Sequence, residues 1–514
     1  MVWRSCDPQG NEAGKVKLDL VPYMRGVVLD LGCGPQKIFP TAIGVDDDRD
    51  LKIFGIKAHF DVRADVERLP FVDGYADTVF SSHTLEHIVD YRAALTEWWR
   101  VVKPGGYLVL YLPHADWYPN RGMPGSNPDH KHDFRNDDVT KAMLAAARGQ
   151  AWRQIADEVR SGGMEYSFLQ IYQKIGGDAC YVYQANQSPE KTIALVSIGA
   201  HGDALWTSAL LPHFKREGWH VTVYVAEEGE AALKADPHID RLVVQPKKLF
   251  GEGGEEVVWQ CAYWLHEEKK YDRFINLTGC VERNLLAHQS DWRFYFAKWQ
   301  RDLVMNGNYL EALHAWAGVP FDPRTVRVRF YPTEEERAWA LAERVKYPGA
   351  LVMINPSGSS LPKFWPHVQR LMELLDAQGI YSLVVGDPRH AKWKAPARGR
   401  VVGRDWDIRR VFALAQLANV VVGTESALVN AVAHEPMLKV VLLSHSSHEN
   451  LTRDWVNTAA LAPQNLACYP CHRIHQDPLH CSMPRGFAAC QDAATAEEVF
   501  ALCQEWLARM REAA

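Results

Sequence analysis

Short apolar runs, each closed by a turn residue, recur along the chain with amphipathic stretches of helical period between them. That alternation predicts an α/β protein built on mainly parallel sheets. In the first part, strands are expected at 28–31 and 43–45, and strand-like runs follow at 166–175 and 180–184. Residues 185–190, with Asn186, Ser188 and Pro189, read as a short polar linker. A fresh pattern opens at Lys191: a strand at 192–196, a Gly-Asp turn, a helix through Leu210 and Phe214 to Gly218, and a strand at 221–225. A helical stretch is expected at about 291–317. Farther on come a strand at 351–355, a helix at 365–378, strands at 381–385 and 420–422, and a terminal amphipathic helix from Thr495, whose hydroxyl and following acids suit a helix start.

The first strand runs into Asp30-Leu31-Gly32-Cys33-Gly34-Pro35. Glycines there let backbone amides approach a ligand, and Asp30 can accept a hydrogen bond from a charged or hydroxylated group. The second strand ends on Asp46, where a doubly wound sheet places the acid that reads a ribose diol. A ribose-bearing cofactor is implied, and spacing alone also suits a dinucleotide. Asp47 and Asp48 read as solvated, and Cys33 as a packing residue.

Three further segments settle the resemblance. They are Ala64-Asp65-Val66-Glu67-Arg68-Leu69-Pro70-Phe71, the run from Asp77 through His83-Thr84-Leu85-Glu86-His87, and Val102-Lys103-Pro104-Gly105-Gly106-Tyr107-Leu108. With the glycine turn they make residues 25–113 resemble the class I S-adenosylmethionine-dependent methyltransferases. The resemblance implies S-adenosyl-L-methionine as cofactor, held by Asp30, Gly32, Gly34, Asp46, Asp65 and Val66, with Asp65 on the adenine amine. It leaves Glu86 and His87 open between packing and lining an acceptor pocket. Beyond Pro113 a proline-broken loop leads to Asp129-His130-Lys131-His132-Asp133. His130 and His132 can serve as general base to a hydroxyl acceptor, since imidazole titrates near neutrality. A solvated loop or a weak metal site is the other reading.

From Lys191 onward, Gly202-Asp203, Thr207, Leu210, Leu211 and Lys215, then Ser357-Gly358-Ser359-Ser360-Leu361-Pro362-Lys363-Phe364-Trp365-Pro366, resemble the bacterial heptosyltransferases of glycosyltransferase family nine. Their fold is GT-B, two Rossmann-like lobes. The resemblance implies an inverting transfer with Asp203 as base to the acceptor hydroxyl; capping of the following helix is the alternative. It also implies a nucleotide-diphospho-sugar donor, ADP-heptose among the options, with Ser357, Ser359 and Lys363 on the diphosphate. Where that family has Asp-Thr-Gly-x-x-His, this chain has Glu425-Ser426-Ala427-x-x-Asn430, which puts the identity of the donor in doubt. Glu425 and Ser426 are still expected on the donor sugar and phosphate. Cys468, Cys471, Cys481 and Cys490, interspersed with His472, His475 and His480, have the count for tetrahedral zinc; loop closure is the first reading, and no metal ligand is assigned.

The chain of 514 residues has room for three Rossmann-type units. Its net charge of −6 gives no global basic footprint for nucleic acid. No run of eighteen apolar residues and no signal core is present, so a cytoplasmic enzyme with peripheral membrane contact at most is expected. Ten cysteines then read as thiols. Trp292, Trp299 and Trp316 are assigned to domain packing, with an acceptor cleft as the alternative. The expected organisation is a methyltransferase at 1–187, an acceptor lobe at 191–330 and a donor lobe at 345–514. Together they would build and methylate a surface glycan or lipopolysaccharide, with a glycan or glycolipid as acceptor. The alternatives are a nucleic-acid-modifying enzyme, or an active methyltransferase carrying a non-catalytic sugar-binding GT-B module.

Overall fold

The computed structural model describes residues 12–47, 57–147, 150–175, 191–251, 254–387, 392–474, 481, 483 and 486–512. The expected strand at 180–184 and the linker at 185–190 lie outside these. The chain divides into two compact units, Met1–Glu190 with Val244–Lys270, and Lys191–Val243 with Tyr271–Ala514. Among the described residues no helix is long and apolar enough to cross a membrane.

In the first unit β1 (Val28–Leu31), β2 (Ile43–Asp46), β3 (Val62–Arg63), β4 (Ala76–Ser82), β5 (Val102–Pro113), β6 (Trp152–Arg160) and β7 (Ser167–Lys174) form one sheet in the order β3-β2-β1-β4-β5-β7-β6. β1 pairs in parallel with β2 and β4, whereas β7 runs antiparallel to both β5 and β6. All of β1 is buried, as a central parallel strand covered on both faces requires. The helix Tyr91–Val101 starts where the Asp90 side chain accepts from the Ala93 amide at 3.0 Å. It buries Ala94, Leu95, Trp98 and Val101 in the core formed with Leu29, Leu31, Val79 and Leu108.

The second unit holds two sheets. β8 (Thr192–Ser197), β9 (His220–Ala226), β10 (Arg241–Gln245) and β11 (Arg273–Asn276) lie in the order β10-β9-β8-β11, with β8 parallel to β9 and β11. β12 (Leu351–Asn355), β13 (Tyr381–Val385), β14 (Gly399–Gly403), β15 (Val420–Thr424), β16 (Leu438–Leu442) and β17 (Thr458–Leu461) follow the order β14-β13-β12-β15-β16-β17, parallel throughout. Every residue of β12, β15 and β16 is buried. In both larger sheets the strand order reverses beside the first strand, between β1 and β4 and between β12 and β15. Such switch points open a crevice at the carboxyl ends of the strands.

The stretch expected as one helix at 291–317 is three pieces, a 3₁₀ turn Trp292–Tyr295 and helices Lys298–Met305 and Tyr309–Ala317. Asn306-Gly307 ends the middle piece, and Asn308 caps the last by accepting from the Glu311 amide at 3.0 Å. The packing expected of its tryptophans is also corrected: Trp292 is 71% exposed and Trp299 67%, with Tyr295 and Leu303 exposed beside them in sequence. The break after Met305 ends a helix too short to carry all three rings to one core.

Candidate functional site

Each switch point carries a cluster of the expected residues. In the first unit Gly32 and Gly34 adopt φ of +67° and +57°, and a Cβ on Gly32 would lie 2.3 Å from the Thr84 Oγ1 atom. Only glycine lets this turn pass so close to the loop after β4. Asp46, at the end of β2, accepts from the Gly34 amide at 2.9 Å and from the Asp47 amide at 2.7 Å. Asp30 is buried and accepts from the Ile38 amide at 2.6 Å. Burial raises its pKa to about 7, against the opposing pull of the Ile38 N–H and of Lys37. Asp65 Oδ1 accepts from the Glu67 amide at 2.9 Å, and the side chain of Val66 belongs to the core while its carbonyl accepts from Trp98 Nε1 at 2.8 Å.

The two histidines proposed as bases are separated by the fold. His132 bonds the Val89 carbonyl at 3.1 Å and packs against Tyr91 and Phe134. His130 is buried and its Nε2 lies 3.8 Å from Glu86 Oε1. Glu86 is the residue the sequence left open. It is fully buried in the turn after β4, and neither carboxylate oxygen has a hydrogen-bond partner. His83 Nδ1 and His87 Nε2 stand 3.8 and 3.9 Å from the same oxygen. Burial raises the Glu86 pKa to about 8 and lowers that of His130 to about 4 and of His83 to about 3. The signal available in the sequence was His83-x-x-Glu86-His87 on one tight turn.

A family model described as a methyltransferase domain matches residues 29–110, the segment that contains the glycine turn, Asp46, Asp65 and Glu86. Residues 29–110 form a methyltransferase domain. Demethylmenaquinone methyltransferase of Corynebacterium urealyticum is 38% identical over 153 residues, 28% of this chain and 64% of that protein. The chain spans between 34% and 64% of the length of the first curated relatives it matches. Among solved structures, ADP-heptose lipopolysaccharide heptosyltransferase II of E. coli is similar at 12% identity, covering 62% of this chain and 99% of that one with a TM-score of 0.45. A glycosyltransferase family 9 protein of Veillonella parvula is similar at 13% identity, covering 63% and 100% with a TM-score of 0.45.

Apart from the methyltransferase domain, the second unit encloses a cavity of about 510 Å³ that collects Asp203, Ser357, Ser359, Lys363, Glu425 and Ser426. Asp203 sits on the first turn of the helix His201–Thr207, and its Oδ2 accepts from the Ala200 amide at 2.9 Å, so one oxygen does cap the helix. Burial raises its pKa to about 6, with the Ala200 N–H opposing. Gly202 beside it leaves room for Asn430, whose Nδ2 would lie 3.0 Å from an added Cβ. Lys363 is buried, its Nζ donating to the Glu425 carbonyl at 3.2 Å, and burial lowers its pKa. Gly358 clears the path of that side chain, since a Cβ there would come within 2.5 Å of Lys363 Cδ. Asn355 Nδ2 donates to Ser426 Oγ at 3.0 Å, and Ser357 Oγ accepts from the Asp387 amide at 3.0 Å.

Glu425, expected on the donor sugar, lines that cavity with both carboxylate oxygens already engaged within the chain. Its Oε1 accepts from the Ser444 and Ser446 amides at 2.9 and 3.0 Å, and its Oε2 from Ser444 Oγ at 3.2 Å and His445 Nδ1 at 2.5 Å. Burial works to raise its pKa, but His445, Lys363 and the Ser444 N–H outweigh it and hold the group at about 2. It is an ionised wall residue that shapes the segment after β16. Ser444-His445-Ser446, hydroxyls and an imidazole directly after a buried strand, were the sequence signal for that segment. The thiols of Cys468, Cys471, Cys481 and Cys490 line an adjoining cavity of about 260 Å³ together with Lys363 and His445.

Proposed function

We propose that this chain is a bifunctional transferase: S-adenosylmethionine-dependent methyl transfer by residues 1–187, and inverting glycosyl transfer from a nucleotide-diphospho-sugar by 191–514, with an acceptor lobe at 191–330 and a donor lobe at 345–514. The observation that carries the second half is one cavity shared by Asp203 and Lys363. A carboxyl with a pKa near 6 is a carboxylate at neutral pH, yet basic enough to take a proton from an acceptor hydroxyl. A buried ammonium facing that cavity suits a diphosphate leaving group, which it would pair without a metal. The hydroxyls of Ser357, Ser359 and Ser426 add neutral donors to the same anion.

In the methyltransferase domain the positive-φ turn, Asp46 and Asp65 would hold the cofactor's amino acid, ribose and adenine parts, and alignment of the sulfonium with the acceptor supplies most of the rate. The sequence motifs and the shared cavity support an ADP-heptose-like donor and a glycan or glycolipid acceptor of a surface polysaccharide or lipopolysaccharide. The exposed aromatic residues near Trp292 and Trp299 suit a lipid-linked acceptor met at a membrane surface by a cytoplasmic enzyme. The test is transfer from a panel of nucleotide-diphospho-sugars, scored for nucleoside diphosphate release with and without candidate acceptors. Release that depends on Asp203 supports the reading; a chain that binds the donors but never releases diphosphate leaves only a sugar-binding module.

A further inference from the structure

Among the described residues of the methyltransferase domain, Glu86 is a fully buried carboxyl group with neither oxygen hydrogen-bonded. Both oxygens are without a partner at zero exposure, a state that costs several kcal/mol unless something else completes it. Around it the chain has spent backbone structure on bringing imidazoles close. His83 takes a φ of +48°, uncommon for a residue with a side chain. Lys131 and His132 donate their amides to the Glu86 carbonyl at 2.7 and 3.1 Å, which pins the loop carrying His130 onto the turn carrying Glu86 and His87.

We infer that Glu86, His87 and His130 form a binding site for a divalent transition-metal ion of the zinc class. One ligand atom from each lies within 4.8 Å of the others. The Glu86 oxygen is 3.9 Å from His87 Nε2 and 3.8 Å from His130 Nε2. Ligand atoms about 2.1 Å from a tetrahedral ion stand roughly 3.4 Å apart, so the two carboxylate–imidazole pairs close by about half an ångström and the imidazole pair by at most about 1.4 Å. Two imidazoles and one carboxylate make a three-ligand site that keeps a position open. Neither oxygen of Glu86 has a hydrogen-bond partner, and an ion on the open side of the two imidazoles would give that carboxyl group one.

The cluster follows β4 beside the glycine turn, two residues beyond Thr84, whose side chain touches the space over Gly32. An acceptor hydroxyl on the open position would have its pKa lowered. Its proton would pass to solvent water, and its oxygen would bond the methyl carbon as the carbon–sulfur bond breaks with its electron pair going to sulfur. That role rests on the methyl-transfer reading; metal binding itself does not.

The test uses the full chain with Cys468, Cys471, Cys481 and Cys490 changed to serine, stripped with chelator and titrated with Zn²⁺ and Co²⁺. Uptake of about one ion per chain is expected, weakened at least about 100-fold in Glu86→Gln and in His130→Ala, with binding of S-adenosylhomocysteine retained as the sign of a folded domain. The unaltered chain provides a second measurement: Co²⁺ in the Glu86 site gives a visible band without the intense sulfur-to-metal absorption that the thiols would add. No uptake by the serine-substituted chain together with only a thiolate spectrum in the unaltered one, or uptake unchanged in both variants, would overturn the assignment. Loss of methyl transfer with metal binding intact would instead count against the methyl-transfer reading.

Discussion

Glu86 and Glu425 occupy matching places, each in the first turn after the strand that lies across the switch point, β4 in one sheet and β15 in the other. Both are buried, and there the likeness ends. Burial dominates at Glu86 and lifts its pKa to about 8 against the lowering pull of one backbone N–H, whereas Glu425 is surrounded by amides, a hydroxyl and an imidazole that hold it at about 2. Desolvation is common to the two, so the partners decide the outcome. A carboxylate that the fold has already satisfied is part of the wall; one that the fold has left bare is available to a ligand.

The largest expected effect breaks the satisfied member. Glu425→Ala should cost about 3–5 kcal/mol in denaturant unfolding, because His445 and the serine amides are left facing a void. Glu86→Gln in metal-free protein should change stability by less than about 1 kcal/mol, since the neutral isostere loses no hydrogen bond. Equal losses in the two variants would remove the contrast.

Asp203→Asn comes next. Asparagine caps a helix about as well as aspartate but cannot take the acceptor proton. Sugar transfer should fall about 10²- to 10³-fold with donor affinity kept. Near-normal turnover would make Asp203 a cap alone.

The acid limb of stability sharpens the comparison with a smaller effect. Glu425 has a folded pKa below its unfolded value, so its contribution is complete above pH about 4.5 and is lost as pH falls from there toward 2. Unfolding followed over that window should show a shallower fall in Glu425→Gln than in the unaltered chain. Sugar transfer has its own limb: Asp203 must be ionised to act as base, so the rate should rise with pH through about 6.

The alternation of apolar runs carried the α/β class, and the two glycine turns were legible because positive φ and close approach demand glycine. Asp203 and Lys363 could be named from local motifs, but their meeting in one cavity depends on how two sheets pack, which no local pattern encodes. Glu86 stayed open because its burial is set by a loop forty-odd positions away, the one that brings His130. Glu425 was assigned to the donor because the serines that occupy its oxygens lie one strand later, after β16. Asn306-Gly307-Asn308 shows a readable signal that was passed over, a stop and a new cap inside an apparently continuous helical stretch. His132 was paired with His130 by proximity in sequence, and the fold parts them: the Lys131 and His132 amides are pinned to the Glu86 carbonyl, with the His130 ring beside Glu86 and the His132 ring against Tyr91 and Phe134.

If one chain carries two separate ligand sites, calorimetric titration of the full chain with S-adenosylhomocysteine and with ADP will show two independent binding events. Asp46→Ala should weaken S-adenosylhomocysteine by about 1.5–3 kcal/mol and leave ADP unchanged. Lys363→Ala should weaken ADP by a similar amount, far more than it weakens adenosine, and leave S-adenosylhomocysteine unchanged. Failure of the unaltered chain to bind either ligand, or an Asp46 or Lys363 variant that loses both together, would contradict it.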